Sequence, residues 1–248
     1  KQHGAEQIFA VGTSALRDAA NRREFLEAAF EKTGLRIEII SGEKEARLTF
    51  SGTLSNKPDL PSPVAVLDIG GGSTEVVIGE SKSLLVEDEH SLNARSADIG
   101  SVRLTERFAK SDPVQPEEVQ RMREQAETMM RATWPPESLA PVKTIIGTAG
   151  TITTLAAMAL AMQEYDPRRI DGYLLIRQKL GEIVAELTRR TIAERCQMPG
   201  LSPARADVIL AGALILETFL DIYQFEKILV SDRGLRYGVL VEPAARAL

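Results

Sequence analysis

Val64-Ala65-Val66-Leu67-Asp68-Ile69-Gly70-Gly71-Gly72-Ser73-Thr74-Glu75-Val76-Val77-Ile78 is an apolar run, a triple glycine and a second apolar run. The pattern predicts strand, tight glycine turn, strand. A hairpin turn needs only one or two glycines, so three in a row ask for a further reason. Without Cβ atoms, backbone N–H groups can close on an anion. Asp68 and Glu75, one at each end, suit a hydrated divalent cation, and the Ser73 hydroxyl adds a donor. Asp68 to Glu75 therefore predicts half of a phosphate-and-metal site between two strands. The plainer reading is a hairpin with incidental acids.

Outward from this hairpin, strands and helices alternate, which predicts an α/β fold. Upstream, Ile8 to Val11 predicts a buried strand ending at Gly12. A helix follows, with Asn21 as N-cap, Phe25, Leu26, Ala29 and Phe30 as an apolar stripe and Gly34 as its stop. Residues 37–40 predict a strand and 43–50 a helix, before a proline-rich connection from Ser55 to Pro63. Downstream, strands near 64–68, 75–79, 84–87 and 94–99 suggest a meander. Helices are expected from Gly100, from Pro116 at an N1 position, after Gly147–Thr151, over 177–188, from Ser202 to Leu220 and from Gly234 to the end. Short strands at 144–146 and 227–230 complete the pattern.

Composition narrows the function classes. The chain has 248 residues, 44% hydrophobic and 26% charged, with a formal net charge of -5. That balance argues against a nucleic-acid-coating surface. One cysteine, Cys196, excludes an internal disulfide framework and suits a reducing compartment; with no His or Cys near it in sequence, it reads as a structural thiol. His3 and His90 stand alone and suggest no metal triad. No apolar run is long enough to span a membrane. Cytoplasm is the expected location, with no nucleic acid or membrane partner.

Three other segments carry chemistry. In Gly147-Thr148-Ala149-Gly150-Thr151, small residues between strand and helix admit either a phosphate at the helix N-terminus or plain close packing. Glu43 and Glu45 follow Ser41-Gly42 at a helix start, where acids commonly complement the macrodipole; catalysis is the competing reading. Arg17 stands at a strand-to-helix corner, as a phosphate clamp or a solvated arginine.

Taken together these motifs resemble the exopolyphosphatase / guanosine pentaphosphate phosphohydrolase family, within the actin-like superfamily. Gly12–Asn21, Ser41–Arg47, Asp68–Glu75, Gly100–Glu106, Gly147–Thr151 and Ser231–Gly238 follow in the family's order along nearly the whole chain. The resemblance implies an α/β, two-lobe actin-like (ribonuclease H-like) fold with lobe I incomplete at its N-terminus. Residues 1–46, completed by a C-terminal helix over 236–248, would form lobe I, and 47–235 lobe II. No family-type phosphate loop precedes Ile8, so an N-terminally truncated chain is expected.

The resemblance also implies site roles. Glu45 would activate the attacking water, with Glu43 ranked second. Arg17, Gly70, Gly71, Gly72, Ser73, Gly147, Thr148 and Gly150 would bind phosphate, and Asp68 and Glu75 would hold Mg²⁺ or another divalent cation. The expected substrate is polyphosphate or guanosine pentaphosphate, and a homodimer is compatible with the sequence. The paired arginines Arg168-Arg169 and Arg189-Arg190 are candidate pieces of a basic track, or ordinary surface. The rivals are a non-catalytic nucleotide- or polyphosphate-binding sensor and a sugar- or acetate-kinase-like transferase.

Overall fold

The computed structural model describes residues 4–5, 7–57, 59–81 and 92–246. The strand expected over 84–87, and His3 and His90, lie outside the described residues. In chain order the elements are β1 (Ala10–Gly12), α1 (Ser14–Asp18), α2 (Arg22–Thr33), β2 (Ile37–Ile39), α3 (Gly42–Leu54), β3 (Val64–Ile69), β4 (Thr74–Gly79) and β5 (Asn93–Ala97). Then come α4 (Ser101–Phe108), α5 (Pro116–Thr133), α6 (Pro136–Leu139), β6 (Thr144–Thr148), α7 (Ala149–Ala159), α8 (Pro167–Ile170) and β7 (Leu174–Ile176). The chain closes with α9 (Arg177–Arg189), α10 (Ile192–Arg195), α11 (Ile209–Ile222), β8 (Lys227–Val230) and α12 (Leu235–Arg246).

β1 and β2 form a small parallel pair, while β5-β4-β3-β6-β8-β7 form the main mixed sheet. Of the expected meander, the three described strands β3, β4 and β5 run antiparallel. β6 and β8 join β3's other side in parallel. Apart from Asp68, β3 is apolar because both its faces are covered. Ala65, Leu67 and Ile69 point into the large core with α7 and α11, whereas Val64 and Val66 meet Ala46, Phe50 and Leu54 of α3. Strand side chains alternate faces, and this parity later decides where the polar residues go.

α11 is buried along its length from Ile209 to Leu220. Its buried acid, Glu217, is neutralised by Arg123 of α5 and by Arg177 of α9 at 3.1 Å, as a buried charge requires. The helix expected from Ser202 is broken: a short 3₁₀ turn at Pro203–Arg205 precedes α11. At that break the buried Arg195 guanidinium donates to the carbonyls of Leu187 and Ala206, so those carbonyls serve a side chain. The stripe expected on α2 is not a core face: none of α2's residues is buried, and Phe25 and Phe30 are exposed.

α5 begins as expected at Pro116, with Gln115 as N-cap. Buried Glu118 accepts from the amides of Lys110 and Gln115, both at 2.8 Å, and from the Ser111 hydroxyl. The Ser111 bond, with those amides, holds its carboxyl below the usual range against burial. Replacing Glu118 by Ala strands buried donors and is expected to cost about 1–3 kcal/mol in denaturant titration. A depressed carboxylate adds stability above its unfolded pKa and loses it as pH falls. The wild-type advantage should therefore shrink under acid conditions; a difference independent of pH would count against this account.

Candidate active site

Parity and register build a polar row across the main sheet. Asp68 is the register partner of Glu75 on one side and of Thr148 on the other, and Glu75 is the partner of Ser96. Register partners project to one face. Asp68 shares the parity of Val64 and Val66, Glu75 that of Val77, and Thr148 that of Ile146, all of which pack on α3's side. The row Ser96–Glu75–Asp68–Thr148 thus lies on the sheet face that α3 covers, beyond the end of its apolar contact.

α3 brings Glu45 to this face. Ser41 caps the helix by accepting from the Lys44 amide. Ala46, Phe50 and Leu54 bury one stripe, and Glu45 is the neighbour of that stripe in the first turn. Arg17 donates Nη1 to Glu45 Oε2 at 2.8 Å and to the Ile40 carbonyl at 2.9 Å. The guanidinium expected as a phosphate clamp is therefore first a holder of Glu45. Glu43 is exposed on the same turn.

The carboxylates feel one another. Asp68 is pushed up to about 7, first by burial, then by the charges of Glu75 and Glu45. Glu75 is raised by burial and by Glu45, against hydrogen bonds from Ser73 and Ser96 and the charge of Arg17. Residues 17 and 45 of the first segment thus share an electrostatic site with residues 68 and 75 of the hairpin. Between the ordinary aspartate value and about 7, the folded chain keeps a proton on Asp68 that the unfolded chain releases, so stability falls as pH rises through that window. Asp68→Asn is expected to raise Tm at about pH 8 and leave it unchanged below about pH 4. Equal shifts at both would contradict the assigned cause.

The glycine turn has a second reason for its composition. None of Gly70, Gly71 and Gly72 has a positive φ. Their carbonyls face the start of α4: Gly70 O accepts from Ser101 N at 3.0 Å, Gly71 O from Val102 N at 2.9 Å and Gly72 O from Arg103 Nε at 2.9 Å. A Cβ on Gly100 would lie 2.3 Å from Gly71 O. Close approach of α4 therefore demands a glycine at Gly100, while a Cβ on Gly71 would press on Val102 at 3.1 Å and one on Gly72 would meet only Arg103 at 3.8 Å. The Gly70 amide, expected to bind phosphate, donates instead to Ser73 O at 3.0 Å.

Gly147 to Thr151 is not a loop: β6 ends at Thr148 and α7 starts at Ala149. Ala149 has φ 68°, a strained value for a residue with a side chain. Thr148 donates its hydroxyl to the Arg233 carbonyl at 2.9 Å, so that proton is already committed. A Cβ on Gly147 would strike Ile152 and Ile228, each at 2.7 Å; its glycine answers to packing. A Cβ on Gly150 would lie 2.3–2.5 Å from the Arg205 guanidinium.

Arg205 is the residue sequence reasoning missed. With Arg236 it lines a cavity of about 1040 Å³ that runs from Asp68 and Thr148 past Gly150 to Met198–Gly200. Nothing near Arg205 in sequence marks it; only the 3₁₀ turn carries it onto α7's N-terminus. The paired arginines are surface instead: Arg189 and Arg190 both meet Glu186, and Arg168 meets Asp166. At the mouth, the Tyr165 hydroxyl donates to Asp232 and is pushed up to about 12 by burial and that bond.

The Ppx/GppA phosphatase family matches residues 1–247. The chain belongs to that family. This Ppx/GppA member is 38% identical over 224 residues to exopolyphosphatase 2 of Mycobacterium tuberculosis, covering 87% of the chain and 66% of the relative. It is 31% identical to a bifunctional 3-dehydroquinate synthase/phosphatase of Fusobacterium nucleatum, covering 96% of the chain and 35% of that relative. It thus spans about two thirds of the first relative and about a third of the second. A Ppx/GppA family structure from Aquifex aeolicus superposes with TM-score 0.84 at 35% identity, covering 99% of this chain and 76% of that one. An exopolyphosphatase structure from Cytophaga hutchinsonii gives 0.84 at 25%, covering 100% and 77%. The fold is therefore the family's mixed α/β fold.

Residues suited to a cation follow from the electrostatics. Asp68 and Glu75 repel each other and are both raised, a strain that a divalent cation would relieve. Among the described residues, no group of three or more His, Cys, Asp or Glu is placed to hold a metal. Two carboxylates with water and phosphate oxygens suit Mg²⁺, which keeps much of its hydration.

Proposed function

We propose that this protein is a phosphoanhydride hydrolase releasing the terminal phosphate of inorganic polyphosphate or guanosine pentaphosphate. The observation that carries the reading is that α3 brings Glu45, held by Arg17 at 2.8 Å, to the sheet face on which Asp68 and Glu75 are register partners. A base held by Arg17 and two cation-seeking carboxylates share one face. Exopolyphosphatase relatives support the substrate class.

In this reading Glu45 takes a proton from water as the water oxygen attacks the terminal phosphorus. The bridging P–O bond breaks, and the shortened chain leaves with the electron pair. Arg17 orients the base, and the amides of Gly71, Gly72 and Ser73 hold phosphate oxygens. A divalent cation at Asp68 and Glu75 would neutralise phosphate charge, the main need of such a loose transition state. Residues 1–46 with 236–248, and 47–235, are the two lobes of this reading. The division falls within α3, whose Gly52 touches α12, making α3 the bridge between them.

The charged side chains lining the cavity are Asp68 and Asp232 against Arg205 and Arg236. Phosphate release from each substrate with Mg²⁺ tests the reading. Release from either is expected. A chain that binds ligand without turnover would instead be a sensor.

A further inference from the structure

α3 carries Glu45 at its start, and the structure holds its other end with a second cluster. Asp171, between α8 and β7, accepts from Asn56 Nδ2 at 2.8 Å and Lys57 Nζ at 2.7 Å. The same carboxylate accepts from Ser231 Oγ at 3.1 Å and Asp232 N at 3.3 Å. The Lys57 and Asp171 side chains are only 10% and 20% exposed, so solvent screens the pair little.

The turn gripped in this way supports Thr148. Its Arg233 carbonyl accepts from Thr148 Oγ1 at 2.9 Å and from Thr53 Oγ1 of α3 at 3.1 Å. The Arg233 guanidinium returns to Ser55 Oγ at 3.1 Å. One carboxylate thus ties the end of α3 to the turn behind the polar row. We infer that Asp171 is a positioning residue that sets how α3 presents Glu45 to Asp68, Glu75 and Thr148. This rests on the hydrolase reading above. A 13-residue helix is about 20 Å long, so a small tilt at one end is a displacement of the order of 1 Å at the other. Burial works against ionisation of Asp171, but the hydrogen bonds and charge of Lys57 and the bond from Asn56 outweigh it and hold the carboxyl below its usual range.

Two variants of the full chain test the inference: Asp171→Asn, which keeps an acceptor but removes the charge, and Lys57→Met. Each is expected to lower kcat on inorganic tripolyphosphate about 10-fold or more, with KM changed less than about twofold, because geometry and not phosphate affinity is lost. The double variant should add little beyond either single one. Glu118→Gln, at the α5 cap, is the control for a general loss of stability. Hydrogen exchange reads the tie without turnover: amides over 231–234 and 148–150 should exchange about tenfold faster in Asp171→Asn. Unchanged exchange, or a kcat loss no larger than the control's, overturns the inference. An inactive parent chain counts against the hydrolase reading instead, and exchange then decides the tie alone.

Discussion

Glu45→Gln is expected to lower kcat by about 10²- to 10⁴-fold, the range for removing a general base, while leaving the fold intact. The two effects separate because of where Glu45 sits. Its bond to Arg17 joins side chains that are 22% and 27% exposed, and part-exposed pairs contribute about 1 kcal/mol or less. Gln keeps an oxygen for Arg17, and Arg17 keeps the Ile40 carbonyl. Circular dichroism and Tm should therefore barely move. Removing the charge also relieves Asp68 and Glu75, both of which Glu45 raises. Cation binding should survive in the variant even as turnover is lost. A variant that kept more than a tenth of parental kcat, a factor of about 1.4 kcal/mol in barrier, would remove Glu45 from the chemistry. Glu43→Gln, at an exposed position, should leave kcat within about twofold, as surface substitutions usually do.

Gly238→Ala is expected to cost about 3 kcal/mol of stability, the upper end for overpacking. In an open helix the same change would gain about 1 kcal/mol. Here the sign reverses because α3 and α12 meet backbone to backbone. A Cβ at Gly238 would sit 1.9 Å from Leu48 O, and one at Gly52 would sit 2.1 Å from Gly234 O. Neither neighbour is a side chain that can rotate away. Urea titration should show the loss for Gly238→Ala and Gly52→Ala. Gly42→Ala, which on the same helix meets only Arg17 Nη2 at 3.8 Å, should change stability by less than about 1 kcal/mol. Tolerance at Gly238 would mean that the two helices can part without loss, and α3 would then be a poor bridge.

The triple glycine was legible as a tight turn between two strands, but not its packing against α4. An anion-binding role needs amides without Cβ atoms, and that is local. Gly100 lies so close that a Cβ added there would be 2.3 Å from Gly71 O, a contact across some thirty residues that no local pattern announces. Arg17 was legible as a basic corner residue, but not as the holder of Glu45. Arg205 left no local mark, because its place follows from a break in a helix that propensity alone would continue.

What the sequence by itself determined is the set of elements and the chemistry they carry. Apolar runs, glycines and prolines are local punctuation, so the hairpin, the helix start at Ser41-Gly42 and the start of α5 at Pro116 could be read directly. The ordered motifs carried the family. What only the tertiary structure decided is which side chains share a face. Val64-Ala65-Val66-Leu67 is apolar at every position, so alternation leaves no trace of which residues look toward α3. The facing is set by what packs on each side: Val64 and Val66 on α3, Ala65 and Leu67 on the large core. That choice carries Asp68, Glu75 and Thr148 onto the same side as Glu45, because strand parity and register are rigid once one residue is placed.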